Sequence, residues 1–264
     1  MRRFFIDPTC ISGDSATIAE QEARHISSVL RLKPGSIIEL FDGTGLVYQA
    51  EICATTKAAI TVNILHSQRL QEHPPYLDVA QSLTKGKKMD LILQKATELG
   101  VSTLRPVISQ HCDIKSVTSN QIDRWRRISQ EACKQCSRPT PLTCHTAQTF
   151  VQFVASADKS ATKFILWENQ TTGTFPQPIT TVNERVLIVI GPEGGFTQSE
   201  IQTAIQHGFI PVGLGPRILR AETAAIAAIS ILQFLLGNLQ GTNMPEQSAA
   251  NDSPRDAIPQ EHTT

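Results

Sequence analysis

The spacing of apolar positions changes about a third of the way along the chain. In residues 1–70 the apolar runs are short and tend to alternate. Ile37–Phe41 and Leu46–Ile52 flank Asp42-Gly43-Thr44-Gly45, the pattern of a β-hairpin, with Pro34-Gly35 marking the turn before it. Ala59–Leu65 reads as a further strand and His25–Leu32 as a short helix. Several short strands in so few residues predict a small barrel. The polar stretch Gln68–Pro75 reads as a linker.

From Tyr76 the pattern alternates between strands and helices. Leu77–Leu83 reads as a strand, Lys87–Leu99 as an amphipathic helix closed by Gly100, and Val101–Ser109 as a strand. A helix capped by Asn120 runs to about Cys136, and one capped by Thr146 to about Asp158. Lys163–Trp167 is a strand. Val186–Ile190 is continuously apolar and predicts a strand buried on both faces. Thr197-Gln198-Ser199-Glu200 matches a capping box and opens a helix that stops near Gly208. Phe209–Gly213 is a strand, and a final helix runs to about Gln240. Such alternation predicts an α/β class domain with a parallel sheet. Residues 241–264, rich in Pro, Ser, Asn and Asp, are expected to be a disordered tail.

Composition sharpens this little until it is taken by segment. The 264 residues suit one large domain or two, and 24 basic residues balance 24 acidic ones. Residues 76–140, however, hold 11 basic and 6 acidic groups. That is a local basic surface, fit for RNA or simply solvated. Met1–Ile6 meets Asp7-Pro8 without an apolar signal region, so a cytoplasmic protein with reduced cysteines is expected. Ala224–Leu236 is too short to span a bilayer, and no membrane partner is expected.

The candidate chemistry gathers in Arg185–Gln240. Gly191-Pro192-Glu193-Gly194-Gly195 follows a strand, and Gly213–Glu222 follows the next short one. Two glycine-bearing loops at the ends of neighbouring strands make a ligand cradle, since glycine lets backbone approach a ligand; the first is otherwise a tight turn. Arg217, Arg220 and Glu222 sit beside a strongly apolar helix, either as a structural ion pair or facing a substrate. Lys85-Gly86-Lys87-Lys88 opens a helix at the end that disfavours cations, which suits a phosphate contact or a solvated face. Arg124, Arg126 and Arg127 share one helix, with Trp125 read as packing. Cys133-Lys134-Gln135-Cys136 lacks the second pair that a zinc site needs, so no metal is assigned. No Walker A or G-x-G-x-x-G signature is present.

Leu83–Asp90 with Gln94–Gly100, Ile190–Phe196, and Leu214–Ala224 together resemble the RsmE family of the SPOUT superfamily. These are bacterial methyltransferases of uridine N3 in small-subunit (16S) ribosomal RNA. Met1–Phe5 and Val29-Leu30-Arg31 fit the same family, and the likeness spans about residues 1–240. It implies a PUA-like β-barrel for RNA in 1–70 and a SPOUT methyltransferase domain with a C-terminal trefoil knot in 76–240. It implies a homodimer with the active site near the subunit interface, and ribosomal RNA of the small ribosomal subunit as partner. S-adenosyl-L-methionine would be held by Leu166, Glu168, Gly191, Pro192, Glu193, Gly194, Gly195, Leu214, Gly215, Ile218, Leu219, Arg220 and Thr223. Arg2, Arg3, Arg31, Lys85, Lys87, Lys88, Arg124, Arg127 and Arg217 would meet RNA.

For the reaction, Arg220 is the candidate to stabilise charge on the base oxygens. Glu222 or Glu193 would accept the proton or orient an arginine, orientation being favoured for Glu193. The chain departs from the family at Gln110-His111-Cys112, where Ser-Glu-Arg is expected, and at Ser137, where glycine is. Both departures are placed outside the cofactor loops. Other readings are another SPOUT activity, such as ribose 2′-O methylation, and a non-catalytic RNA-binding or ribosome-assembly protein.

Overall fold

The computed structural model describes residues 1–239, apart from 57, 171–174, 177, 178 and 180–184. The predicted tail lies outside the described residues.

The first part is a six-stranded, barrel-like sheet. It contains β1 (Arg2–Phe5), β2 (Ile11–Ser12), β3 (Ser15–Ala19), the short helix α1 (Glu20–Arg24), β4 (Ile37–Phe41), β5 (Leu46–Thr55) and β6 (Ala59–Arg69), in the order β1-β4-β5-β6-β3-β2. Only the β1–β4 pairing is parallel. The helix expected at His25–Leu32 is a π-helical turn over His25–Val29. Alternation along the strands turns Ile38, Leu40, Ala50, Ile52, Ile60 and Val62 inward to a shared core. β6 extends to Arg69, so the polar connection starts later than Gln68.

The second part is a seven-stranded, wholly parallel sheet. Its elements are β7 (Tyr76–Ser82), α2 (Lys88–Glu98), β8 (Thr103–Ile108), α3 (Ser119–Cys136), β9 (Thr143–Cys144), β10 (Gln148–Thr149) and α4 (Phe150–Ser156). They continue with β11 (Thr162–Leu166), β12 (Arg185–Ile190), α5 (Gln198–Gln206), β13 (Ile210–Val212) and α6 (Ala221–Leu235). The order is β10-β8-β7-β12-β11-β13, with β9 beside β8. β12 shows why its sequence is continuously apolar. Val186, Ile188 and Ile190 pack under α2, α3 and α6, while Leu187 and Val189 pack under α4 and α5. Both faces are covered, as parallel sheets require.

Three helices open on the same device. Thr118, Thr149 and Thr197 accept a hydrogen bond from the N3 backbone of α3, α4 and α5, and the N3 side chain (Gln121, Gln152, Glu200) returns one. Two expected caps are therefore corrected: Thr118 replaces Asn120 and Thr149 replaces Thr146. In each case the cap is the threonine with a Gln three residues on. α6 ends at Leu235, short of the expected Gln240. Among the described residues no helix is long and apolar enough to cross a membrane.

The two parts meet along α3. Lys134 pairs with Glu22 of α1, and Cys133 packs against Phe41 and Val47. Arg138 is buried; its Nη2 donates to Glu72 Oε2 at 2.8 Å and its Nη1 to the Thr97 carbonyl at 3.2 Å.

Candidate active site

The two glycine-bearing loops do not end neighbouring strands: β11 lies between β12 and β13. The loop after β11 therefore forms a third wall between them. A cavity of about 300 Å³ opens at these carboxyl ends of the strands. That is where open parallel sheets bind ligands, because the loops diverge there and helix N-termini point inward.

The structure brings together most of the predicted cofactor residues. Leu166 and Glu168 line the cavity from the first loop. Gly191, Pro192, Glu193 and Gly195 line it from the second, and Leu214, Gly215, Ile218, Leu219 and Arg220 from the third. Gly194 and Thr223 do not line it. Trp167, inside the expected strand end Leu166–Glu168, lines it, and so do Ile190, Ala221 and Ala224, which the sequence reading did not single out. The signal for the alanines was available: their small side chains sit in the first turn of α6, whose N-terminus faces the cavity.

Each glycine loop is held in shape from outside. Gln81 Nε2 donates to the Gly191 carbonyl at 3.3 Å. A Cβ on Gly191 would lie 3.2 Å from the Phe196 ring, and one on Gly195 (φ +67) would lie 2.3 Å from Glu168 Oε1. The left-handed backbone favours glycine at 195, and a Cβ there would also push the flexible Glu168 carboxylate aside. His111 Nδ1 lies 2.8 Å from the Gly194 carbonyl, and since a carbonyl only accepts, Nδ1 carries the proton. The segment Gln110-His111-Cys112 lies outside the loop after β12 but touches it through His111. The Gln110 backbone N–H also donates to Glu200 at 2.8 Å, and Cys112 is buried against Ser109.

Glu193 accepts from Lys88 Nζ at 2.8 Å and from the Lys85 backbone at 3.2 Å. Burial pushes its carboxyl up, but the Lys88 and backbone hydrogen bonds outweigh that and hold it below the ordinary carboxylate value. A carboxylate so stabilised is a weak base, which favours orientation over proton acceptance. Glu222 differs: its Oε2 is buried without a hydrogen-bond partner. The structural ion pair between Glu222 and an arginine is not present among the described residues. Arg217 and Arg220 are exposed at the cavity. An unpaired buried carboxylate oxygen costs free energy unless a ligand satisfies it.

The basic residues divide. Lys88 and Arg217 line the cavity itself. Arg2, Arg31, Lys87 and Arg127 are exposed. Lys85 pairs with Asp113 at 2.9 Å and Arg124 with Asp90, so part of the local positive charge is neutralised in place. Arg3 is turned inward, its side chain 6% exposed over the Phe41 ring, and is not offered to a partner. Trp125 is buried, as packing requires. Among the described residues no group of three or more His, Cys, Asp or Glu is placed to hold a metal ion.

Comparison with known proteins agrees with this arrangement. An RNA methyltransferase domain family matches residues 71–233, and an RNA methyltransferase PUA domain family matches 18–65. Ribosomal RNA small subunit methyltransferase E of Buchnera aphidicola subsp. Schizaphis graminum is 32% identical over 233 residues, covering 84% of this chain and 92% of the relative. The Bacillus subtilis protein of the same name is 29% identical over 254 residues, covering 91% and 99%. The crystal structure of ribosomal RNA small subunit methyltransferase E from Neisseria gonorrhoeae, bound to S-adenosyl methionine, superposes with a TM-score of 0.80 at 33% identity, covering 89% and 98%. With domain matches spanning both parts and relatives aligned over most of their length, the chain belongs to the ribosomal RNA small subunit methyltransferase E family of RNA methyltransferases.

Proposed function

We propose that the chain transfers the methyl group of S-adenosyl-L-methionine to N3 of a uridine in small-subunit (16S) ribosomal RNA. The observation that carries this is the cavity where the loops after β11, β12 and β13 converge on Glu168, Gly195 and Arg220. Its residues fit that cofactor. Leu166, Ile190, Leu214 and Leu219 offer an apolar wall for a flat base, and Glu168 offers a carboxylate for hydroxyl or cationic groups. Gly195 leaves room that a side chain would fill. When bound, S-adenosyl-L-methionine supplies an already activated methyl group.

The chain's own task is the nucleophile. N3–H of uridine is an imide and must lose its proton. Arg220, permanently charged and planar, stabilises negative charge on the base oxygens. Glu222, with its unsatisfied buried oxygen, is the better proton acceptor, and Glu193 orients Lys88 beside the cavity. A target base inside a helix must first be unstacked. Arg2, Arg31, Lys87 and Arg127 supply salt-dependent phosphate contacts alongside the PUA-like barrel of 1–70.

The methyltransferase domain is taken as 76–240 and as carrying a C-terminal trefoil knot. The protein acts in the cytoplasm as a homodimer with the active site near the subunit interface. Ile218, 88% exposed at the cavity mouth, and Ile231 on α6 support a partner subunit there. Sedimentation at micromolar concentration tests this; a monomer with full activity would refute it. The reaction itself is tested by incubating the protein with labelled methyl donor and unmodified small subunits. Label on N3 of one uridine is expected, whereas label on a ribose 2′-oxygen would replace the reading with another activity of the fold.

A further inference from the structure

The reaction proposed above gives no part to His111, which does not line the cavity. It stands in the loop after β8, yet its side chain ends on the loop after β12. Its Nδ1 donates to the Gly194 carbonyl at 2.8 Å. A Cβ on Gly194 would stand 3.0 Å from the His111 Cβ, so the two residues meet at the root of the histidine side chain and not at a flexible end. Gln110-His111-Cys112 is also a place where the chain departs from the pattern that its family resemblance leads one to expect.

The backbone beneath His111 is fixed on both sides. The Cys112 N–H donates to the Ser109 carbonyl at 3.2 Å and closes a turn with Gln110 and His111 at its centre. The Gln110 N–H is held by Glu200 Oε1 at 2.8 Å, and the Gln110 carbonyl by Lys115 Nζ at 3.0 Å. Glu200 belongs to the capping box that opens α5, the helix that follows the loop after β12. Buried Cys112 anchors the other end of the turn, its Sγ 3.2 Å from Ser109 Oγ. An exposed ring on so restrained a backbone presents its donor at a set place.

Two other tethers reach the loop after β12, at Gly191 from Gln81 and at Glu193 from Lys85 and Lys88. Neither holds the peptide between Gly194 and Gly195. With no Cβ on either side, such a peptide turns over at little steric cost. A trans peptide sets its C=O and N–H on opposite edges. Here His111 takes the oxygen edge, and the Gly195 N–H donates to the Pro192 carbonyl at 3.1 Å. With both edges bound, Gly195 keeps its φ of +67 and stays against Glu168, whose Oε1 lies 2.3 Å from where a Cβ would be. Glu168 lines the cavity, so the orientation of this one peptide sets where its carboxylate rests.

We propose that His111 is a positioning residue for the methyl-transfer reaction, its Nδ1–H fixing the Gly194–Gly195 peptide and thereby the seat of Glu168 at the S-adenosyl-L-methionine cavity. The identity of the ligand rests on the proposed function; the tether does not. Arg220 and Glu222, the groups assigned to the target base, stand at the N-cap and first turn of α6, apart from this peptide. Removing the tether therefore weakens the hold on the cofactor and raises its KM, while kcat and the affinity for RNA are kept.

Three variants of the full chain separate the tether from mere loss of the ring. Asparagine carries an amide nitrogen at the δ position, where Nδ1 stands, and glutamine carries one at the ε position. Calorimetric affinity for S-adenosyl-L-methionine should fall about fivefold in His111→Ala and His111→Gln and return to within about twofold of the parent in His111→Asn. The KM for the cofactor should follow the same order, with kcat and RNA affinity unchanged within about twofold. In the ligand-free protein, deuterium uptake by peptides spanning Gly191–Phe196 should quicken in the Ala and Gln variants and not in Asn. The side chain is exposed, so Tm should move by no more than a few degrees. Equal affinity in all four proteins, or a loss in His111→Asn as large as in His111→Ala, would overturn the proposal, as would faster exchange spread over the whole chain. A parent protein that binds no S-adenosyl-L-methionine would instead refute the functional reading, and the exchange of Gly191–Phe196 would then decide the tether by itself.

Discussion

At the scale of single residues, two positions carry sharp expectations. Arg220 sits at the N-cap of α6 without a side-chain cap bond and faces the cavity. If it stabilises charge on the base, Arg220→Ala leaves the calorimetric affinity for S-adenosyl-L-methionine intact and lowers kcat by roughly 10²–10³. Retained turnover would move the role elsewhere. Ser137 occupies the C-cap of α3 with φ 62, a left-handed conformation that costs a residue with a Cβ roughly 1 kcal/mol. A glycine, which the family resemblance leads one to expect at this position, would adopt that backbone without the cost. Ser137→Gly is expected to raise stability by roughly 1 kcal/mol and Tm by a few degrees, read by thermal denaturation. The neighbouring Arg138 is buried and doubly bonded to Glu72, so it needs that turn kept in register.

At the scale of elements, the glycine loop after β12 is a shaped part whose supports are visible. Gly195→Ala adds a Cβ that meets Glu168 Oε1 in a left-handed backbone. The affinity for S-adenosyl-L-methionine should weaken about tenfold or more with the fold retained, as circular dichroism would verify. Glu193 adds a pH dependence. Its folded-state value is depressed, so the tether to Lys88 and Lys85 is complete at neutral pH and is lost as pH falls through that value. Cofactor affinity is expected to hold from neutral pH down into the ordinary carboxylate range and to drop only below it. Much of this loop was legible beforehand, because Val186–Ile190 is uniformly apolar and Thr197 with Glu200 spells a capping box. The strand between the two loops was not. Sequence order puts β13 after β12, while pairing places β11 between them, and nothing local in Thr162–Leu166 encodes its partners. The caps of α3 and α4 were legible in Thr118–Gln121 and Thr149–Gln152, where threonine and Gln stand three apart, but Asn120 and Thr146 also fit the composition of a cap.

At the scale of the molecule, a mixed barrel-like sheet and a parallel sheet are joined through α3. Lys134–Glu22, Arg138–Glu72 and Cys133 against Phe41 are contacts between distant parts of the chain, so no periodicity announced them. Arg3 illustrates the loss: as a sequence position it reads as a surface cation, and in the fold it is a buried partner of this joint. Arg138→Ala leaves Glu72 without its partner and should destabilise the chain by roughly 3 kcal/mol in urea denaturation. A change within about 0.5 kcal/mol would show the pair to be incidental. What the joined parts do together is decided most directly by one measurement. Unmodified small ribosomal subunits are incubated with the protein and labelled methyl donor, and the RNA is digested to nucleosides for mass spectrometry. The expected result is one labelled 3-methyluridine per subunit, formed far more slowly by Arg220→Ala; label on a ribose, on another base, or nowhere would contradict it.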